Sequence, residues 1–412
     1  MRKRWLVYLL CLFTLGLTQT LTQAQPNNAF PLLVQSGDNW AALAVRFQTD
    51  EALLRQLNPH PNPQRQPTIG TELILPETAV PQTGSLIRPF GTLLATAAQH
   101  QTSPWLLALR NNHTSPHRPA LHQLLFIPNS TTTPRDLPAG FTSLELSQTV
   151  GKPGQAVGLR AVLDSEQPVT AVLGNNEIGV FANGRFLVGL TGTGAFFGTQ
   201  QPSLQIQVAS APLWEQPWQF RDSDSWTFQQ LTLTGTAAQI DQQSIAEERE
   251  RLFAIWEKDS DTPQWNTPFQ LPIDNFLEIS SDYGARRSYN GGPYRTYHEG
   301  VDFAAYGGTP VLAPAGGTAV VAEFLYVRGG AVIIDHGLGI YSGYYHLSSI
   351  AIAPGDVVTP GQLLGEVGTT GLSTGNHLHW DLLVDAIWVD AQAWIEQGMS
   401  CWILAGLNGA CN

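Results

Sequence analysis

At 412 residues, 43% of them hydrophobic, the chain is too long for one core and apolar enough to build several, so two to four domains are expected. Its 39 glycines and 28 prolines favour turn-rich β structure over helical bundles. A net charge of −12 excludes the basic footprint of a nucleic-acid-binding protein and argues against nonspecific adhesion to anionic lipids or anionic polymers.

Residues 1–24 read as an export signal. Arg2, Lys3 and Arg4 form a positive start, Trp5 to Leu17 an apolar run too short for a comfortable membrane span, and Thr22-Gln23-Ala24 a small–x–small cleavage pattern. Cys11 is no lipid-attachment site, because Leu9-Leu10 before it lacks the small residues that modification requires. The mature chain is then expected in the cell envelope, periplasm or extracellular space, without stable membrane insertion. It would keep Cys401 and Cys411, an even pair suited to a disulfide in the last loop.

Between residues 31 and 77 the pattern predicts strand, helix, helix, strand. Val34 to Trp40 contains the Gly37-Asp38 turn, and Asp38 or Asn39 can cap the first helix. Ala41, Leu43, Ala44 and Phe47, then Leu53, Leu54, Leu57 and Asn58, fill two short helices, and Leu73 to Leu75 returns as a strand. This segment resembles a LysM module, which implies binding to the N-acetylglucosamine-containing glycan strands of cell walls. The pattern recurs 53 residues on, over 85–129. Leu93, Ala97, Thr102, Leu106, Leu107 and Asn111 correspond to Trp40, Ala44, Thr49, Leu53, Leu54 and Asn58, and Leu124 to Pro128 mirrors the closing strand. The Gly-Asp turn has become Phe90-Gly91-Thr92, so the second copy reads as a degenerate LysM-like module.

A polar linker, Ser130 to Asp136, leads into residues 138–240, where short β-like runs alternate with Gly, Asn and Pro turns. The expectation is an immunoglobulin-like β-sandwich that carries no chemistry, since it has no histidine and no clustered carboxylates. Residues 241–260 predict one connecting amphipathic helix, with Ile245, Leu252, Phe253 and Trp256 on the apolar face and Glu247, Glu248, Arg249, Glu250 and Arg251 as a solvated face.

The chemistry is concentrated in 268–396. His298-Glu299-Gly300-Val301-Asp302 and Asn376-His377-Leu378-His379-Trp380 place metal-binding side chains at even spacing. On an extended strand such residues share a face, so His298 and Asp302 can meet at one spot, as can His377 and His379. Gly300 is expected to clear space for an ion. Two imidazoles and one carboxylate form the donor set of a catalytic zinc site with a fourth position open, and one histidine is left over for acid–base work. With Tyr344-Tyr345-His346-Leu347-Ser348 between the clusters and Ser281-Asp282-Tyr283-Gly284-Ala285-Arg286 before them, residues 271–394 resemble the lysostaphin/LytM-type zinc endopeptidases of peptidoglycan.

That resemblance implies a C-terminal antiparallel β metallopeptidase domain of the duplicated hybrid motif type; with the N-terminal LysM-like βααβ modules and the central β-sandwich, the expectation is a mainly β, multidomain protein. The resemblance also implies Zn2+ as cofactor, held by His298, Asp302 and His379, with His346 and His377 as the catalytic pair and peptide cross-links of peptidoglycan as substrate. The rival is a catalytically weak or inactive wall-binding protein that activates another peptidoglycan hydrolase. A purely structural zinc site would favour thiolates, and no cysteine lies between Cys11 and Cys401. The other histidines read as structural: His60, His100, His113, His117 and His122 on the surface, His336 in a turn near the site. Residues 397–412 read as a tail.

Overall fold

The computed structural model describes residues 31–89, 91–118, 123–128, 131–198, 201–222, 226–233, 241–257 and 260–412. The expected export signal, Cys11 and His122 lie outside these residues. No described helix is long and apolar enough to cross a membrane.

The first module is built as expected, with strand Pro31–Leu33, helices Trp40–Arg46 and Glu51–Leu57, and strand Glu72–Ile74 pairing antiparallel to the first. Asn39 caps the first helix by accepting from the Ala42 amide at 2.8 Å, and Asp50 caps the second. Val34, Trp40, Leu43, Phe47, Leu54, Leu73 and Leu75 form its core. The second module repeats the order with Gly84–Ile87, Leu93–Gln99, Pro104–Arg110 and Leu125–Pro128. The repeat extends to single hydrogen bonds. Asn58 Nδ2 donates to Leu54 O and Ile74 O, both at 2.8 Å, and its Oδ1 accepts from the Ile74 amide at 2.6 Å. Asn111 does the same with Leu107, Phe126 and the Phe126 amide at the same distances. In both copies this asparagine ties the second helix to the closing strand.

The first module is not a bead on a flexible string. Its Gly37 amide donates to Gln216 Oε1 (2.8 Å), the Ile69 amide to Pro217 O (2.8 Å), and Ile69 O accepts from Gln219 N (2.8 Å). Ile69 itself is part of the central domain's apolar core.

In that central domain the seven strands from Phe141 to Pro217 follow one hydrogen-bonded path, not the separate four- and three-stranded sheets of an immunoglobulin arrangement. The corner strand is Asn176–Asn183. Its first residues pair with Val169–Leu173 and the rest with Phe186–Gly192. Leu144 near one end of the path and Leu204 and Ile206 near the other share one buried cluster. Residues just beyond the two ends of the path meet, Gly151 bridging to Phe220 and Trp218 Nε1 donating to Thr149 O at 3.0 Å, so the path closes over its own core in a sandwich-like way. Residues Phe228–Leu231, expected within this domain, instead pair parallel with Arg286–Tyr289 of the next one.

The helix Gln242–Trp256 buries Leu252 and Trp256 in the core of the C-terminal domain. Its charged face is not simply solvated. Glu248 is buried and accepts from the Val327 amide (2.7 Å), the Arg328 amide (3.1 Å) and the Arg328 guanidinium (3.1 Å). Arg249 and Arg251 pair with Glu299 and Glu323.

The C-terminal domain is organised on an antiparallel sheet in the spatial order Glu278–Ser281, Gly300–Ala304, His377–Val384, Ile340–Leu347, Gly329–Gly337, Gly317–Leu325 and Val357–Val358, with Ile387–Val389 also pairing on His377–Val384. A small sheet of Pro310–Leu312, Leu363–Glu366 and Ser349–Ile350 lies beside it. The expected tail is a helix, Met399–Gly406, whose Met399, Ile403 and Leu404 enter the core, and Cys401 is bonded to Cys411.

His336 is the interior residue of a strand, not a turn residue at the site. Its Nδ1 donates to Gly316 O and its Nε2 faces Ser342 Oγ, each at 2.7 Å, and burial lowers its pKa to about 4. The unfolded chain therefore binds a proton that the folded one refuses between about pH 6.5 and pH 4. Stability should be full above that window and fall by up to ~3 kcal/mol across it as pH drops. Urea melts at pH 7 and pH 5 check this. His336→Asn should be less stable at pH 7 yet lose less between the two pH values than the parent; an equal loss in both proteins refutes the assignment.

Candidate active site

Strand register creates the site. Asp302 lies directly opposite His379, Ala304 opposite His377 and Gly300 opposite Asp381. Alternation then turns His377 and His379 to the same face as Asp302. His298 comes from elsewhere: it sits in the turn between Thr296–Tyr297 and Gly300–Ala304, held by donation of its amide to Ala285 O at 2.8 Å. Its meeting with Asp302 is therefore made by a turn, not by alternation along one strand. Gly300 also has a different use from the expected one. A Cβ there would stand 2.4 Å from Trp380 O and 2.7 Å from His379 Nε2, so its bareness makes room for the His379 ring and the neighbouring strand.

His298 Nε2, Asp302 Oδ1 and His379 Nδ1 each lie 2.9 Å from the other two. Among the described residues these three form a group able to hold a metal ion. The far nitrogen of His298, Nδ1, is 3.0 Å from Asp282 O. A carbonyl only accepts, so Nδ1 carries the proton and the Nε2 lone pair faces the centre. Burial lowers the pKa of His298, and it lowers that of His379 to about 4. Burial opposes ionisation of Asp302, yet His298 and His379 beside it hold its carboxyl well below the usual range. At neutral pH the trio is two neutral imidazoles and a carboxylate, the donor set that zinc takes.

His346 and His377 stand beside this trio, with ring centroids 4.7 Å apart. His346 Nδ1 donates to Thr370 O and His377 Nδ1 to Gly375 O, both at 2.8 Å. The Nε2 atoms are thereby left free as proton acceptors; that of His377 lies 3.8 Å from Asp302 Oδ1. Burial and the neighbouring His377 and His379 push the His346 pKa down to about 3. His346 also adopts φ +63°, unusual for a residue with a side chain, and is fixed there by its amide donating to Arg328 O at 2.9 Å. Glu248 in turn holds the 327–328 backbone, so the connecting helix supports the placement of His346.

All five residues expected from the sequence meet at one place. Three neighbours were not foreseen. Arg287 donates to Asp302 Oδ2 at 3.0 Å, Ser281 Oγ lies 2.9 Å from His298 Nδ1, and buried Asp381, raised to about 7 by burial, has Oδ2 4.0 Å from His379 Nε2. Asp381 was legible: His377, His379 and Asp381 continue one alternation. Arg287 and Ser281 depend on pairings that strand patterns do not reveal.

Fold and site together define a candidate metal centre, with two further histidines beside it, on an antiparallel sheet. Residues 296–391 match Peptidase family M23 and residues 33–76 match the LysM domain, so the chain carries an M23 peptidase domain near its C-terminus and a LysM domain near its N-terminus. It is 37% identical over 115 residues to the peptidoglycan DD-endopeptidase ShyA of Vibrio cholerae serotype O1, covering 28% of this chain and 27% of that protein. It is 39% identical over 110 residues to the DD-carboxypeptidase/endopeptidase Mpg of Neisseria meningitidis serogroup B, covering 27% and 25%. The match thus spans about a quarter of the length of these curated relatives. Among solved structures, a putative peptidase M23 from Pseudomonas aeruginosa aligns with TM-score 0.43 at 26% identity, over 59% of this chain and 93% of that one. Lysostaphin from Staphylococcus simulans aligns with TM-score 0.28 at 29% identity, over 32% and 54%.

Proposed function

We propose that this chain is an exported, wall-directed zinc endopeptidase that hydrolyses peptide cross-links of peptidoglycan. The observation that carries the reading is the convergence of His298 Nε2, Asp302 Oδ1 and His379 Nδ1 within 2.9 Å, with His346 and His377 alongside. His298, Asp302 and His379 would hold the zinc, which when bound supplies Lewis acidity towards the scissile carbonyl and makes water a stronger acid. His346 and His377 do the proton work. Each has its Nδ1 proton committed to a backbone carbonyl, so each Nε2 can accept a proton from the attacking water and later return one to the leaving amine. A protonated Nε2 can also donate to the oxygen on which negative charge develops. Retention of all five groups disfavours the inactive activator. Digestion of purified walls of several chemotypes, with the released ends identified by mass spectrometry, tests the reading: new amino termini within peptide stems or bridges are expected, and intact stems from metal-loaded protein would refute it.

The LysM domain gives the glycan strand as the second contact, and holding it raises the local concentration of cross-links by mass action. The module docks on the central domain through Gly37 and Ile69 and shares no residue with the metal centre. Soluble N-acetylglucosamine oligomers should therefore release the full chain from insoluble peptidoglycan without slowing cleavage of a small soluble peptide. Unchanged retention in a pelleting assay would reduce the modules to spacers.

A further inference from the structure

We propose that Gln229 is a positioning residue of the metal centre, fixing the orientation of two of its three ligands through one amide oxygen. Gln229 lies outside the stretch matched to the peptidase family, on Phe228–Leu231 in the connection from the central domain. This strand pairs parallel with Arg286–Tyr289 and sets Gln229 directly opposite Arg287. Gln229 Oε1 accepts from Ser281 Oγ at 3.0 Å and from Arg287 Nε at 3.4 Å. Arginine offers only donors, so the amide oxygen, not the amide nitrogen, faces this pair.

Two branches run from that oxygen to the metal ligands. In the first, Ser281 Oγ is 2.9 Å from His298 Nδ1. A serine hydroxyl has a single proton. With it directed at Gln229, the serine lone pairs face the Nδ1 proton of His298 and favour the tautomer whose Nε2 lone pair points to the centre. Without Gln229 the hydroxyl can turn and donate to Nδ1, in competition with Asp282 O, which accepts from the Nδ1 proton at 3.0 Å; this weakens the preference for the tautomer that keeps the ligand atom unprotonated. In the second branch, Arg287 Nη2 donates to Ser281 Oγ at 3.1 Å and to Asp302 Oδ2 at 3.0 Å. Occupying Oδ2 leaves Oδ1 to face His298 and His379. Gln229 steadies that guanidinium from its Nε side. Ser281, His298 and Asp302 are all buried, so water is a poor substitute for the missing acceptor. The connector between the domains is in this way a working part of the metal site.

The inference rests on the zinc reading above, and zinc affinity separates the two. The full chain, its Gln229→Leu and Gln229→Glu variants and a Gln230→Leu control on the same strand are titrated with zinc against a chromophoric chelator. Thermal unfolding of the chelated proteins is followed in parallel. Gln229→Leu should bind zinc about 10–100-fold more weakly, the range for loss of a group that orients a ligand. Gln229→Glu keeps an acceptor towards Ser281 and Arg287 and should restore parental affinity, and Gln230→Leu should leave it unchanged. Imidazole 15N shifts of the chelated proteins should show His298 moving away from the Nδ1–H tautomer in Gln229→Leu alone. Parental zinc affinity in a folded Gln229→Leu protein overturns the inference, as does a Gln229→Glu protein as weak as Gln229→Leu. A parent chain that binds no zinc overturns the zinc reading itself.

Discussion

His379→Ala should empty the metal centre and take cleavage to background while the domain stays folded. His379 supplies one corner of the triangle, 2.9 Å from each of the other two ligand atoms, and no other described side chain is placed to replace it. His377 projects from the same strand face, but its Nδ1 is tied to Gly375 O and its Nε2 stands 3.8 Å from Asp302 Oδ1. Losing a ligand outright should weaken zinc binding by more than the ~100-fold that loss of an outer group reaches. Folding should survive, because the pairing of Gly300–Ala304 with His377–Val384 is made by backbone bonds and by buried Val301, Phe303, Leu378 and Trp380 on the other face. Elemental analysis after chelation and reloading should give about one zinc per parent chain and almost none for the variant. Full zinc retention by a folded His379→Ala protein would exchange the roles of His377 and His379.

Much of this centre could be read from the sequence, because even spacing on strands is a local signal. His377 and His379 share a face for that reason, and Asp381 continues the same alternation. His298 and Asp302 do meet, but through a turn that spacing does not describe. Arg287, Ser281 and Gln229 were not legible as parts of the site. Their roles depend on which strands become neighbours, and Phe228–Leu231 pairs with residues more than fifty positions away. The same limit applies to the fold. The first βααβ module followed from a helix cap and apolar periodicity and the second from recurrence of that pattern, whereas the corner strand Asn176–Asn183 changes partner halfway along, which turn signals do not show. Glu248 looked like one charge in a solvated run; only the packing of its helix against the 327–328 turn makes it a buried acceptor.

On the proposed reading, removing either His346 or His377 should leave zinc in place and cost most of the turnover. Neither His346 nor His377 belongs to the 2.9 Å triangle, and each is held by its own backbone carbonyl, so their loss does not loosen the ligands. A positioned acid–base group contributes about 10²–10⁴-fold and a donor to developing negative charge about 10²–10³-fold, so each variant should lose kcat in that range with KM little changed. His377→Ala is a clean test, since His377 lies on an ordinary strand. His346→Ala is not, because at φ +63° a left-handed backbone costs alanine about 1–2 kcal/mol. Asparagine tolerates that region, so His346→Asn separates loss of the imidazole from backbone strain. The rings are 4.7 Å apart and would act in the same catalytic step, so the double variant should lose much less than the product of the two single losses, as groups that act as a unit do. Initial rates on purified peptidoglycan, paired with zinc content and melting temperature for each protein, check all of this. Fully multiplicative losses would mean that the two histidines act in separate steps, and zinc loss in either variant would move that residue into the ligand set.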